Sequence, residues 1–565
     1  MRKILFGLLL FALHSFAQTS FEPIESPVYN FLERTAAQGY IELDDILKPY
    51  SRNYIFQKLE ELENKKEQLS PLEQKELNFF MDDYYLEAEV EINSQDKTEI
   101  TGDKNKLNIL PYEDEIKYGT YSGFLKDPLE RYRLYTYKDD LFKFSVDPVL
   151  GVSFGQRDGA SRVWYRSGIT FSGYIGKNFG FNFMYYDNTE RGDKIDRTKS
   201  FSPERGVTLS RQFDNKVEYS EVRTNLSYSW NWGSVTIGKD FMNWGYGKSG
   251  QIVLSDKAPS FPFIRLDVRP AEWISFNYFH AWLKSEVLDS NSTYPTYWAD
   301  HSRILDTQKY LASHTISIFP FEGFSVSLGE SIVYSDRLEL AYLTPIMFFR
   351  LADHFLSDNN NNKGANSQFF FNVSSRNHLP NTHLYASLFI DEIRLSELFN
   401  SQGQKNQIGF TIGASTTNLP LNNIDFEIEY TKVYPYVYQH FIPTQTYASD
   451  KYSLGHWIGY NSDIFYSSLN YRIIRGLKLK GWIQYIRKGD EGNVEDQYSV
   501  PQPPFLFGLR KNYTNFGFDV EFEIKHNFFV NFNYASWQQE FEISKGIFEQ
   551  SDYNEFNFSI NYGLR

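Results

Sequence analysis

The chain has 565 residues, no cysteine and a formal charge of −14, so disulfides and thiolate metal centres are excluded and the acidic balance argues against a nucleic-acid partner. Aromatic residues make up 18 %, with 41 Tyr and 50 Phe, yet mean hydropathy is only −0.48. Many rings without overall hydrophobicity suit a membrane barrel, with apolar residues toward lipid, polar ones toward the lumen and aromatic girdles at the interfaces.

The chain opens MRKILFGLLLFALHSFAQ. Arg2 and Lys3 precede an apolar run from Ile4 to Leu13, and Ser15 and Ala17 supply small residues before a cleavage point. This predicts a signal peptide over 1–17 and export from the cytoplasm. Beyond Ala17 no stretch approaches the roughly 18–20 apolar residues of a membrane helix, so any crossing is by strands in a closed barrel.

Residues 18–90 carry a helical period. Ser26-Pro27 reads as a cap with proline at the first helical position, followed by Val28, Phe31 and Leu32, with Gly39 as a stop. Ser51 opens a second helix with Ile55, Leu59 and Leu62 on one side. Ser70-Pro71-Leu72-Glu73 is a capping box, followed by Leu77, Phe80, Met81 and Tyr84. Three short amphipathic helices make a small module, and residues 91–140 connect it to the rest.

From 141 to 565 the period is two. Phe179, Phe181, Phe183 and Tyr185 alternate with smaller or polar residues, as do Ile424, Phe426, Ile428 and Tyr430, and Phe516, Phe518, Val520, Phe522 and Ile524. About 18 such segments are expected, each an antiparallel strand with one apolar face. Tight turns at 176–178, 231–233, 320–323, 475–476 and 525–527 alternate with long polar connections at 188–215, 286–309, 489–512 and 539–553. That asymmetry is expected of an all-β, transmembrane outer-membrane barrel with short periplasmic turns and long outer loops. The helical module and the C-terminus then fall on the periplasmic side.

Within this region Gly247-Lys248-Ser249 matches the end of a phosphate-binding loop. Met242 stands where the loop's first glycine belongs, and strand-like residues rather than a helix follow, so no nucleotide site is read. No HExxH and no Gly-x-Ser-x-Gly occurs. No cofactor and no metal site is expected, and Asp358 to Gly364 reads as a polar loop rather than a calcium loop.

Four stretches resemble the Wzi family of capsule-assembly outer-membrane proteins: SPVYNFLERTAAQGYI at 26–41 with LKPYSRNYIFQKLEEL at 47–62, LSPLEQKEL at 69–77, WGYGKSGQIVLSDKAPSFPF at 244–263, and YLTPIMFFR at 342–350. The third is the most specific. The resemblance implies an 18-stranded barrel with a periplasmic helical bundle, holding surface polysaccharide without catalysis. An outer-membrane porin or uptake channel is the alternative, and an outer-membrane hydrolase is a third reading.

In the 244–263 segment, Gly245, Gly247, Gly250, Ser255, Pro259 and Pro262 are read as residues that shape the chain. Trp244 and Tyr246 either face a sugar or plug the barrel. Tyr294, Tyr297 and Trp298 lie mid-loop in STYPTYW and are read either as a polysaccharide-stacking surface or as part of an aromatic girdle. Tyr434, Tyr436 and Tyr438 suit the girdle better. The partners expected are capsular or other surface polysaccharide, outer-membrane lipid and a periplasmic partner of the helical module.

Overall fold

The computed structural model describes residues 20–87, 121–127, 129, 131–208, 211–298, 301–360, 364–392 and 406–565. The expected signal peptide and the first part of the connecting segment lie outside them.

The period-two sequence closes into a barrel of eighteen antiparallel strands, from Phe142–Arg157 to Ile547–Tyr562. Each barrel strand pairs with the next in the chain, and the last closes on the first with Phe558 opposite Phe154. Alternation sets the two faces. Ile237 lies opposite Leu226 and both are more than half exposed, while their neighbours Thr236 and Ser227 are fully buried and share a 2.8 Å hydrogen bond. Rows of exposed Phe, Leu and Ile on the outer wall are far more than a monomer shows to water, and they fit lipid contact.

Turns at one end are short, among them Asn231-Trp232, Arg475-Gly476 and His526-Asn527. The other end carries the long connections 193–215, 241–260, 284–308, 336–365, 434–461 and 489–510. One expected loop is corrected: 539–553 is not a connection. Phe528–Ser544 and Ile547–Tyr562 run through it and turn at Lys545-Gly546, where Gly546 takes φ +79°. Its polar residues mark strands that extend beyond the apolar belt, because polarity along a barrel strand reports depth rather than strand end. The connecting segment also adds short strands, Tyr121–Phe124 and Tyr135–Lys138, the latter paired with Phe142–Arg157.

The three helices form as read: α1 (Val28–Ala37), α2 (Arg52–Glu63) and α3 (Pro71–Asp83). At α3 the Ser70 and Glu73 capping box is complete, and at α2 the Ser51 hydroxyl accepts the Tyr54 N–H at 3.1 Å. At α1 the start slips by one residue. Pro27 is the N-cap, without a side-chain cap. A fourth helix, α4 (Phe349–Asn360), occupies the start of the Asn-rich stretch, where a loop was expected; residues 361–363 lie outside the described residues.

The apolar stripes of α1 to α3 share one core with Phe31, Leu59 and Leu77 at its centre. The module also caps the short-turn end of the barrel. Gln38 and Glu73 accept from Asn418, Glu42 accepts from the Gly323 N–H, and Asp83 pairs with His526. From this cap the chain climbs into the lumen, where Leu47 and Lys48 pair with Trp244 and Asn243. A second core fills the lumen there, built from 244–263, from 434–461 and from inward wall residues such as Phe279, Phe370 and Phe389.

Candidate functional site

Residues 244–263 do not line an outer rim; they fold back into the barrel. Trp244 is fully buried against Phe279 and Phe370, at ring distances of 5.7 and 5.1 Å. Its backbone N–H donates to Leu254 O at 2.7 Å, and the Gly245 N–H donates to Ile46 O at 2.9 Å. Tyr246 is buried, with its hydroxyl 3.2 Å from Ser325 Oγ. The structure therefore places Trp244 and Tyr246 in the plug.

The glycines have local reasons. Gly245 takes φ +130°, and a Cβ on Gly247 would lie 2.1 Å from Gly250 O. A Cβ on Gly250 would strike the His456 ring. Ser255 donates to Gly455 O at 2.5 Å, Pro259 is buried behind it, and Pro262 sits on the barrel strand Phe261–Ala271 facing outward.

The phosphate-loop fragment does hold an anion, but an internal one. The Lys248 and Ser249 N–H groups donate to the Glu429 carboxylate at 2.7 and 2.9 Å, and Ser249 Oγ donates to it at 2.5 Å. Tyr385 Oη adds a fourth bond at 2.6 Å. Glu429 thereby anchors the plug to the barrel wall. Nothing in its own stretch, IDFEIEY, distinguishes it from other lumen carboxylates.

Charge ties the plug to the helical cap. Lys248 Nζ lies 2.5 Å from Glu33 of α1, which also pairs with Lys48. Burial alone would raise the Glu33 carboxyl, but Lys248 and Lys48 outweigh it and hold it well below the usual range. Glu25 behaves likewise: burial opposes its charge, and Arg205 and Arg223 overcome that. Arg223 bridges Glu25 at 2.8 Å and Asp240 at 2.6 Å. Arg376 meets Asp45 at 2.5 Å in a buried pair.

The other predicted aromatics are brought elsewhere. Tyr294-Pro295 pairs with Ser302-Arg303 in a small hairpin on the long-loop end. Trp298 is 80 % exposed, Tyr297 is fully exposed and Tyr294 is 49 % exposed. Arg303 donates to Tyr294 Oη at 3.0 Å, and Trp298 stands 6.1 Å from His301. These rings are outside the barrel wall strands, so the hairpin offers flat apolar faces beside hydrogen-bonding groups to whatever lies beyond the loops. Tyr436 and Tyr438, in contrast, are buried in the lumen with positive φ, which removes them from any girdle. The barrel strand before them, Ile424–Val433, stops short of Tyr434, Tyr436 and Tyr438 alike.

Residues 156–546 match the family model described as capsule assembly protein Wzi. No curated protein is close enough in sequence to count as a relative. Among solved structures, the fold is similar to Wzi of Escherichia coli, described as an outer-membrane protein involved in group 1 capsule assembly and a carbohydrate-binding β-barrel. That similarity has a TM-score of 0.55 at 10 % identity and covers 97 % of this chain and 100 % of that one. The outer-membrane protein opdK of Pseudomonas aeruginosa (TM-score 0.42, 11 % identity, 74 % of this chain and 98 % of that one) and OccAB2 of Acinetobacter baumannii (0.42, 11 %, 74 % and 97 %) are also similar.

Proposed function

Starting from the membership of this chain in the Wzi capsule-assembly family, carried by the match over residues 156–546, we propose that the protein holds and organises capsular polysaccharide at the cell surface without catalysing a reaction. In this reading the leader at 1–17 exports the chain, the barrel sits in the outer membrane, α1 to α3 face the periplasm and are available to a partner there, and the long loops face outward. The observation that carries it is the hairpin of Tyr294, Tyr297 and Trp298, whose rings are exposed on the loop end of a barrel plugged by its own chain. Exposed aromatic faces beside Arg303 and His301 suit stacking on sugar C–H faces. A polymer of one repeat can add weak contacts through multivalency. The plug across the lumen supports a holder over the porin alternative, and the similar Escherichia coli barrel is described as carbohydrate-binding.

The test is direct binding. Purified protein in detergent is incubated with the surface polysaccharide of its own cells and sedimented. Wild type should co-sediment with polymer, and replacing Tyr294, Tyr297 and Trp298 together by Ala should release it. Equal retention by both proteins would remove the hairpin from the binding face, and no retention by wild type would remove the function.

A further inference from the structure

Below the outer loops the lumen holds a cavity of about 620 Å³ against the strands Leu477–Lys488, Lys511–Lys525, Phe528–Ser544 and Ile547–Tyr562. Its size falls within the roughly 300–1,000 Å³ of ordinary small-ligand sites. Loop residues Phe201 to Glu204 and Lys248 and Ser249 of the plug also line it.

The wall is built rather than merely polar. Trp537 and Tyr553 lie opposite each other in register, with ring planes within 9° of parallel and centroids 5.9 Å apart. The Arg157 guanidinium covers Tyr553 at 5.0 Å and donates to its hydroxyl at 2.9 Å, and Trp537 Nε1 donates to Glu555 at 3.3 Å. Trp482 lies across Gly517, where a Cβ would come within 2.3 Å of the indole, so that glycine makes room for the ring. These rings are half-buried and held, which lowers the ordering cost of binding. Between them stand amides and charges in reach of the same space, among them Gln539, Asn533, Asp519 and Lys480. Asn533 Nδ2 donates to Asp519 at 2.8 Å, and Asn557 Oδ1, on the same wall, has no hydrogen-bond partner among the described residues.

Parallel fixed rings with planar hydrogen-bonding groups at their edges suit a pyranose: the ring's C–H face stacks while its hydroxyls meet amides and carboxylates. The charges lining the cavity are Arg157, Lys248 and Lys480 against Asp196, Glu204, Asp519 and Glu555. Lys199 pairs with Glu204, Arg162 with Glu555 and Glu33 with Lys248, so the charges come to balance and leave no excess of cations for an acidic sugar. The geometry points to a second saccharide site, inside the lumen, that takes a short neutral oligosaccharide segment on Trp482, Trp537 and Tyr553. This rests on the polysaccharide-holding reading and adds to the loop hairpin an internal socket.

The test uses short oligosaccharides released by partial acid hydrolysis of the cell's own surface polysaccharide, separated into neutral and acidic fractions and titrated calorimetrically into the full-length protein in detergent. Neutral fragments should bind wild type and the hairpin triple-Ala variant alike, and should bind W537A at least tenfold more weakly. A diazirine-tagged neutral fragment should cross-link to peptides of residues 511–562 in the wild-type protein, a readout that needs no variant to fold. Unchanged binding by a folded W537A, preference for the acidic fraction, or cross-links confined to 284–308 would overturn the lumen site. Polymer that sediments with wild type while no short fragment binds would overturn the socket and leave the surface-holding function standing. Failure of both polymer and fragments would overturn both.

Discussion

Trp244 is where the plug can be tested with one residue. Its indole is fully buried between Phe279 and Phe370, and its backbone is the point where the N-terminal Leu47, the plug and Leu254 meet. Truncating a buried Trp to Ala costs about 3–5 kcal/mol in lost packing and cavity. The indole Nε1 has no hydrogen-bond partner among the described residues, and removing a buried unsatisfied donor returns about 1–3 kcal/mol. The net penalty is about 2 kcal/mol, roughly a thirtyfold shift in the equilibrium between seated and loosened plug. W244F removes the orphan donor and keeps most of the ring contact, so it should stay within about 1 kcal/mol of wild type. In planar bilayers the wild type should pass little steady current, W244A should show transient openings, and W244F should be quiet. A silent W244A with unchanged thermal stability, or a W244F as leaky as W244A, would refute the claim that this ring seals the lumen. Large, stable channels in the wild type would bring the porin reading forward.

Three further outcomes follow from the cap. Asp45 and Arg376 form a buried pair at 2.5 Å, and removing either partner leaves the other's charge buried and unpaired. D45N should therefore cost about 3–5 kcal/mol of cap docking, seen as faster proteolysis of residues 20–87, and D45N/R376M should recover most of it. L59D places an unpaired charge at a fully buried site at a cost of several kcal/mol, comparable with the whole stability of a small module. It should unfold the helices while the barrel keeps its heat-resistant gel mobility, and loss of that mobility would mean cap and barrel fold as one unit. Because Glu25 and Glu33 are held well below the ordinary carboxylate value of about 4.5, they bind fewer protons folded than unfolded. Their contribution is complete above about pH 4.5 and is lost as pH falls toward the depressed values; the smaller upward shifts of Asp44 and Asp45 act oppositely. Pepsin should thus cut the cap faster at pH 3 than at pH 4.5 after correction for pepsin's own pH dependence, and a flat or reversed profile would contradict the ion-pair account.

Local chemistry was readable because it is written within a few residues. The Ser70 and Glu73 capping box needs three residues of context, and the inward and outward alternation around Leu226 and Ile237 needs two. The plug was not readable for the opposite reason. Whether Trp244 lines a mouth or fills a core depends on Leu47, Phe279 and Phe370, which lie far from it in the chain, and Glu429 gains its meaning from Lys248 and Ser249, some 180 positions away, and from Tyr385. Tyr436 and Tyr438 alternate like a strand end, yet both take positive φ and turn into the lumen. Polarity over 539–553 suggested a loop because the sequence does not say how high a strand stands above the lipid. The lumen rings left a weaker trace: Trp482 in GWIQ and Trp537 in WQQE sit beside amides on strands whose inward parity becomes certain only once the barrel is closed.

The most direct measurement of the central claim is the location of polymer on living cells. In a strain lacking this protein, complementation with wild type should return capsular polysaccharide to the cell surface. Complementation with the Tyr294, Tyr297 and Trp298 triple-Ala variant, assembled normally in the outer membrane, should leave the same total polymer largely in the medium. Full surface retention by the triple variant would show that the hairpin does not hold polysaccharide, and loss of polymer from both cells and medium in the deletion strain would assign the protein to synthesis or export and contradict the account.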